Sequence, residues 1–476
     1  MSVGGLARLL APIAVLIGAG LYRPDAGTEV RDFFNPLLAD GADPWAYRHT
    51  DGRYYLAVST GSNVSLIRSD TLTGLAAGER KVVWTPPASG PTSKGIWAPE
   101  LHFLRGMWYV YVAADDGENA NHRIYVLENS SADPFSGEFT LKGKIADPTA
   151  DRWAIDGTIL DLAGRLYFVW SGWEGTEDVC QILYIAPMSD PWTISGPRVE
   201  ISRPTHPWET RGAPPVVNEG PQVLVRGRTV FLVYSASGSW TDHYCLGLLR
   251  VPADADLLNP VSWTKRPHPL FERGNGVVAP GHCSFTTSPD GSEDWLLYHA
   301  AKFPGSGWNR SVRAHRFVWG DDGTPRFGRP EPQNIPVPLP RGEPPRRRYE
   351  AEHAELGGAA AVVRHLAASR GSAVGSLVGP ESSAEYVVTA RRAGPHSLTV
   401  RFANGDPDRA AATHTLVVNS GPERTVRYPY IGEEAWSCVS VRAELRIGTN
   451  RIRFSGKDRV TQFVQLDCLD VTPAGP

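Results

Sequence analysis

The chain has 476 residues, with 10% aromatic side chains, 48 glycines and 40 prolines, the composition of an all-β protein rich in stacking groups and turns. Its length is enough for two domains, each with its own core. A net charge of -3, from 48 Lys and Arg against 51 Asp and Glu, excludes a polyanion-binding surface, so no nucleic-acid partner is expected.

Residues 1–30 read as an export signal and an N-terminal arm. Arg8 supplies the positive end, and Leu9–Leu21 is a short apolar stretch with small residues at Gly18–Gly20. It is too short and too rich in Gly and Ala for a membrane span. The expectation is a secreted protein with no membrane contact beyond its signal.

Residues 31–328 carry five repeats, each a glycine turn followed at once by an aromatic-rich β run. They are DGRYYLAVST, RGMWYVYVAA, AGRLYFVWSG, RGRTVFLVYSA and DGSEDWLLYHA. Their glycines, Gly52, Gly106, Gly164, Gly227 and Gly291, are 54, 58, 63 and 64 residues apart. A period of that size in an all-β chain predicts a five-bladed β-propeller with one four-stranded blade per repeat.

Eight or nine residues before each glycine stand Asp43, Trp97, Asp156, Glu219 and His282. If the strand before each turn is innermost in its blade, these side chains converge on one axis. Each acid lies in apolar strand sequence, where a carboxylate is costly unless paired, hydrogen-bonded or protonated. Pro44 after Asp43 predicts an extended backbone at the acid. A single acid of this kind is best read as a turn or strand cap. Three at matched positions make that reading poor.

Two carboxylates facing each other across a sugar are what glycoside hydrolysis requires. A third raises the pKa of the proton donor by repulsion. Glu219, the longer side chain, is assigned as general acid, Asp43 as general base and Asp156 as pKa modulator. Trp97 is a stacking wall or a core tryptophan, and Trp45 and Arg310 are further substrate-binding candidates. Glu100 reads as a hydrogen-bonded strand acid. His282 reads as a buried histidine or as a ligand to an axial cation or its water. No zinc-protease, phosphate-loop or dinucleotide motif is present.

Residues 329–348, RPEPQNIPVPLPRGEPPRRR, predict an extended proline-rich linker. Residues 349–476 carry short β runs at the spacing of a jelly-roll β-sandwich. None of the five cysteines forms a C-x-x-C pair, and Cys438 and Cys468 are a disulfide candidate in an exported chain.

GADPW, IWAPELH, AIDGTIL, VNEGPQVL and GHCSF, in that order, resemble the motifs of glycoside hydrolase family 43. The resemblance implies a five-bladed propeller and an inverting mechanism. It gives the same three roles to Asp43, Asp156 and Glu219, and places His282 under the axis, next to a calcium ion or water. SGWEG, YIAPMSDPWTISG and YSASGSWTDHYCLG resemble its exo-acting α-L-arabinofuranosidases. YEAEHAEL, VRFANGDP, THTLVVN and LDCLDV resemble a carbohydrate-binding module of the family 6 and 35 type. There Glu350, Glu352 and Asp467 match the ligands of a structural calcium, and Trp436 and Asn404 match loop positions that bind sugar. The chemistry itself needs no cofactor.

The expected activity is release of L-arabinofuranose from arabinan or arabinoxylan side chains of plant cell walls. A β-xylosidase and an endo-arabinanase share the fold and the three acids. A non-catalytic sugar-binding propeller is the alternative of another class, and the intact acid triad argues against it.

Overall fold

The five repeat glycines all adopt left-handed backbone, with φ of 83° at Gly52, 83° at Gly106, 81° at Gly164, 58° at Gly227 and 74° at Gly291. A Cβ at any of them would meet nothing within 4 Å. The backbone angle, and not crowding, therefore calls for glycine. Arg105 and Ala163 are left-handed too, at 49° and 53°. Two successive positive φ angles make the two-residue hairpin turn whose twist matches its strands.

In the computed structural model, which describes residues 26–432, 435–457 and 463–474, each glycine turn joins the first two strands of an antiparallel unit. Unit one comprises Trp45–Arg48, Tyr54–Ala57, Val64–Ser69 and Glu79–Trp84. Unit two comprises Lys94–Leu104, Met107–Asp115, Arg123–Asn129 and Thr140–Ile145. Unit three comprises Ala154–Leu162, Arg165–Trp173, Cys180–Asp190 and Val199–Ser202, with Thr193–Ile194 paired onto its third strand. Unit four comprises Val216–Arg226, Thr229–Ala236, Cys245–Pro252 and Thr264–Lys265, and unit five Val278–Thr287, Asp294–Ala301, Arg310–Trp319 and Pro325–Arg326. A short parallel pairing of Cys180–Gln181 with Val216–Val217 joins units three and four.

The second strands are buried along nearly their whole length, as in Met107–Asp115 and Arg165–Trp173. Apolar side chains on both faces each need a neighbouring sheet. Tyr55 and Leu66 of unit one meet Trp108 and Val110 of unit two. Tyr111 and Val126 meet Phe168 and Trp170 of unit three. Val169 and Leu183 meet Leu232 and Tyr234 of unit four. Val233 and Leu248 meet Leu296 and Tyr298 of unit five, and Leu297 and Val312 meet Tyr54 and Leu56 of unit one. The first strands contact one another in the same order, the fifth touching the first.

The C-terminal region has two sheets. One has seven strands and includes Arg346–Glu350, Gly394–Asn404, Ser437–Leu445 and Val464–Pro473; the other has five and includes Ser383–Ala390, Ala412–Val418 and Gly448–Gly456. Leu398, Val400 and Phe402 from the first share a core with Val388, Leu416 and Phe454 from the second. The chain's first described strand, Thr28–Val30, adds to the seven-stranded sheet by pairing with Arg346–Arg348. Asp32–Phe33 then pairs with Val337–Pro338, and the buried Glu343 carboxylate accepts the backbone N–H of Thr73 at 2.9 Å. The proline-rich segment thus lies along the N-terminal region.

The disulfide candidate is corrected by register. Arg401 is the cross-strand partner of Cys438 on one side and of Cys468 on the other. The two cysteines lie two strand spacings apart, about 9–10 Å, beyond the reach of an S–S bond. Both are buried free thiols. The export-signal segment falls outside the described residues up to residue 25. Among the described residues no helix is long and apolar enough to cross a membrane.

Candidate active site

The first strands do not run straight past the centre. Four of them carry a left-handed residue, Ala98 at 43°, Asp156 at 55°, Gly220 at 54° and His282 at 41°, and Asp43, at 52°, stands two residues before the strand of unit one. In units two to five these residues coincide with breaks in register, as between Ile155 and Thr158 and between Glu219 and Gln222. A bulge of this kind turns a side chain out of the pleat. Left-handed backbone at a residue with a Cβ costs about 1–2 kcal/mol, a strain typical of functional sites. The extended backbone expected of Asp43 from its following proline is corrected here. Asp43 stands just before its strand, where its N–H donates to His299 Nδ1 at 3.1 Å and the Ala42 carbonyl accepts the Ser59 N–H at 3.0 Å, and these tertiary contacts override the local preference.

The structure brings Asp43, Asp156, Glu219, His282 and Arg310 together. One oxygen of Asp43, Oδ1, lies 3.3 Å from His282 Nδ1, 3.2 Å from His299 Nδ1 and 3.5 Å from Arg310 Nη1. The other accepts the Ser59 hydroxyl at 2.6 Å. Burial pushes this carboxyl up, but His282, His299 and Arg310 outweigh it and hold it well below the usual carboxylate range. Burial also pushes both imidazoles down, His299 to about 3. The permanent cation beside Asp43 is therefore Arg310. Its Nη2 is anchored on the Ser239 carbonyl at 2.9 Å.

Asp156 Oδ2 accepts the Gly220 N–H at 2.9 Å and lies 3.8 Å from His282 Nδ1. Burial first, then the charges of Glu219 and Asp43, push its pKa well up. Glu219 Oε1 accepts the Tyr244 hydroxyl at 2.8 Å. Burial raises its pKa to about 7, opposed by the Tyr244 hydrogen bond and Arg310 and aided by Asp43. The centre holds one carboxylate kept ionised, Asp43, and two pushed toward the protonated form, Asp156 and Glu219. The pairing of Asp43 with Glu219 suits a base and an acid acting together.

The His282 ring sits between Asp43 and Asp156, and its backbone N–H donates to the Ser235 hydroxyl at 2.8 Å. Glu100 is buried and bonded to Gln222 and to His102, the latter at 2.9 Å. Trp97 stacks one ring face on His122 at 3.9 Å and is 36% exposed. The Ser59 oxygen that bonds Asp43 also accepts the Ala98 N–H at 2.6 Å, which places Trp97 next to the acid cluster. Trp45 does not join the site: its indole N–H donates to the Leu101 carbonyl at 2.7 Å and its ring lies on His102.

His299, Tyr244, Ser59 and Ser235 were not expected from the sequence. A signal for three of them exists. Seven or eight residues after the marker glycines, where the second strands return to the centre, stand Ser59, Ser171, Ser235 and His299. Ser171 pairs with Ile155, Ser235 with Glu219 and His299 with Gly281, each at the bulge of its unit, and Ser59 bonds Asp43 directly. Tyr244 comes from a loop and has no periodic marker.

In the C-terminal region the structure corrects both sugar-binding candidates. Trp436 is fully buried, with Arg401 over its ring at 4.9 Å, so no ring face is open. Asn404 is also buried, and its amide donates to the carbonyls of Ala410 and Tyr428 at 3.0 Å. Asp467 is bonded to the Arg401 guanidinium and to Ser369. Glu350 meets Ser369 and Arg370. Glu352 Oε2 is buried with no hydrogen-bond partner. Among the described residues no group of three or more His, Cys, Asp or Glu side chains is arranged to hold a metal ion. Arg401 fills the role of a cation at Asp467.

Residues 33–325 match the model of glycosyl hydrolases family 43. The chain is 42% identical over 335 residues to an extracellular exo-α-(1→5)-L-arabinofuranosidase of Streptomyces avermitilis, covering 68% of this chain and 69% of that one. It is 37% identical to α-L-arabinofuranosidase 43 of Humicola insolens, over 75% of this chain and 74% of that one. The crystal structure of an α-L-arabinofuranosidase from Lactobacillus brevis, 38% identical, superposes with a TM-score of 0.60 over 64% of this chain and 98% of that one. An exo-β-1,3-galactanase from Phanerochaete chrysosporium, 17% identical, shares the fold over 91% of this chain and 96% of that one, with a TM-score of 0.52. The chain belongs to glycoside hydrolase family 43.

Proposed function

We propose that the protein is an extracellular, inverting exo-α-L-arabinofuranosidase acting on arabinan or arabinoxylan side chains. The observation that carries the reading is the opposite tuning of Asp43 and Glu219 at one buried centre. Glu219, protonated near pH 7, gives its proton to the glycosidic oxygen as the bond to C1 breaks. Asp43 takes a proton from water, whose oxygen attacks C1 from the other face. Burial and the charge of Asp43 keep Glu219 protonated, and Asp156, which accepts the N–H of Gly220 next to Glu219, is read as the modulator of that acid. Arg310 keeps Asp43 ionised, and Trp97 offers its free face to a sugar ring.

The arabinofuranoside specificity is supported by the names of the relatives at 37–42% identity, and export by those named extracellular. The five units are read as a closed five-bladed propeller forming the catalytic domain over 31–328. The 329–348 segment is the connection, and the two C-terminal sheets form a β-sandwich module over 349–476. No cofactor enters the proposed reaction.

Proton NMR of the first sugar released from an aryl α-L-arabinofuranoside is expected to show the β-anomer. Glu219→Gln is expected to lower kcat by about 10²–10⁴-fold while the fold persists. Wild-type turnover in that variant, or release of the α-anomer first, would overturn the acid and the inverting mechanism respectively.

A further inference from the structure

Trp308 is 68% exposed, against 36% for Trp97 and 37% for Trp192, and it has no part in the proposed reaction. It lies on the loop between the second and third strands of unit five, two residues before Arg310. That loop emerges at the end of the unit where the acid-bearing bulges sit, because the second strand runs back toward the centre from the glycine turn.

An exposed tryptophan is commonly of no consequence. This one is held in place. Its indole N–H donates to the Ser239 hydroxyl at 3.1 Å, and the Trp240 ring meets it edge-on with centroids 6.4 Å apart. The loop is tied down on both sides. The Gly305 N–H donates to Asp242 at 2.8 Å, and Phe303 packs edge-on against Tyr430 of the C-terminal region at 5.1 Å. Ser239 also connects the loop to the site, since its carbonyl anchors the Arg310 guanidinium that lies 3.5 Å from Asp43. The result is a fixed indole with a bare face at the rim of the buried acids.

We propose that Trp308, steadied by Ser239 and Trp240, is a stacking platform for the sugar rings on the leaving-group side of the scissile bond. The inference rests on the exo-arabinofuranosidase reading. In an exo enzyme the buried centre takes one terminal ring, so every further ring of the substrate lies outside it, on the leaving-group side. The apolar C–H face of a sugar is attracted to the negative face of an aromatic ring. An ordered indole face loses little entropy on binding it.

The test compares two substrates in the full chain. Methyl α-L-arabinofuranoside has no ring beyond the scissile bond, and α-1,5-linked arabinotriose has two. W308A is expected to raise KM for the triose about three- to tenfold, with kcat within about twofold. For the methyl glycoside kcat/KM stays within about twofold, and W308F recovers most of the loss. An equal change on both substrates, or none on the triose, overturns the platform. If the wild-type chain cleaves neither substrate, the arabinofuranosidase reading fails instead. The platform is then read from binding, by comparing E219Q with E219Q/W308A in native gels containing arabinan or xylan. Equal mobilities overturn it, and weaker retardation of the double variant upholds it.

Discussion

Asp43 and Glu219 are carboxylates at one buried centre, and their neighbours drive them apart. Asp43 touches a guanidinium, two imidazoles and a hydroxyl, so its charged form is favoured. Glu219 has a single phenol donor against the cost of burial and the repulsion of Asp43. Since Glu219 acts protonated, kcat/KM is expected to fall about tenfold per pH unit above about 7. No acid limb from Asp43 should appear down to about pH 4, the ordinary carboxylate range. Tyr244→Phe removes the hydrogen bond that favours ionised Glu219, so the alkaline limb should move up in a pH–rate profile. The same shift has a stability sign. A raised carboxyl pKa supports the fold below the unfolded value and loses that support as pH rises through about 7. Glu219→Gln is therefore expected to melt higher than wild type at pH 8.

At the scale of elements, the hairpin turns and the bulges are opposite uses of the same backbone region. At the turns, glycine adopts left-handed φ without cost. At the centre, Asp43, Asp156 and His282 adopt it with a Cβ, and the surrounding strands hold them there. Gly164→Ala tests the cost in isolation, because its φ is 81° and an added Cβ meets nothing within 4 Å. The expected loss is about 1 kcal/mol, or about 2 °C in Tm, read by thermal melting with activity intact. The glycine repeat was legible in the sequence because a turn's demand is local. The bulges were not, and neither was the left-handed Asp43: Pro44 argues locally for an extended backbone there, and only the strands packed around it impose the other conformation.

Across the whole molecule the two regions are bound at several points. Thr28–Val30 joins the C-terminal sheet before the chain enters the first unit. Phe34 lies between the guanidiniums of Arg348 and Arg401, at 4.7 and 4.1 Å. Asp40, three residues before Asp43, pairs with both Lys302 and Arg427. Arg401 also neutralises Asp467, one of the three acids matched to a calcium site. A guanidinium in that place makes an ion there unnecessary for charge balance. Dialysis against EDTA is accordingly expected to leave Tm unchanged within about 1 °C. A drop of several degrees, reversed by calcium, would show that Glu350 and Glu352 hold a metal after all.

Sequence alone determined the repeat, the turn glycines and the positions of Asp43, Asp156 and Glu219. Each of these follows from spacing along the chain and from the cost of a carboxylate among apolar strand residues. Tertiary structure alone decided what surrounds them. The backbone N–H of Asp43 meets the ring of His299 across 256 residues of chain, and no local rule reports such a meeting. The same holds for Cys438 and Cys468, which share one strand as neighbour on opposite sides, and for Trp436, which a loop position suggested was open and the core encloses. Periodicity tells which way a side chain leaves its own strand. Its partner depends on how distant strands are brought side by side, and that is settled only when the apolar faces of all five units are buried together.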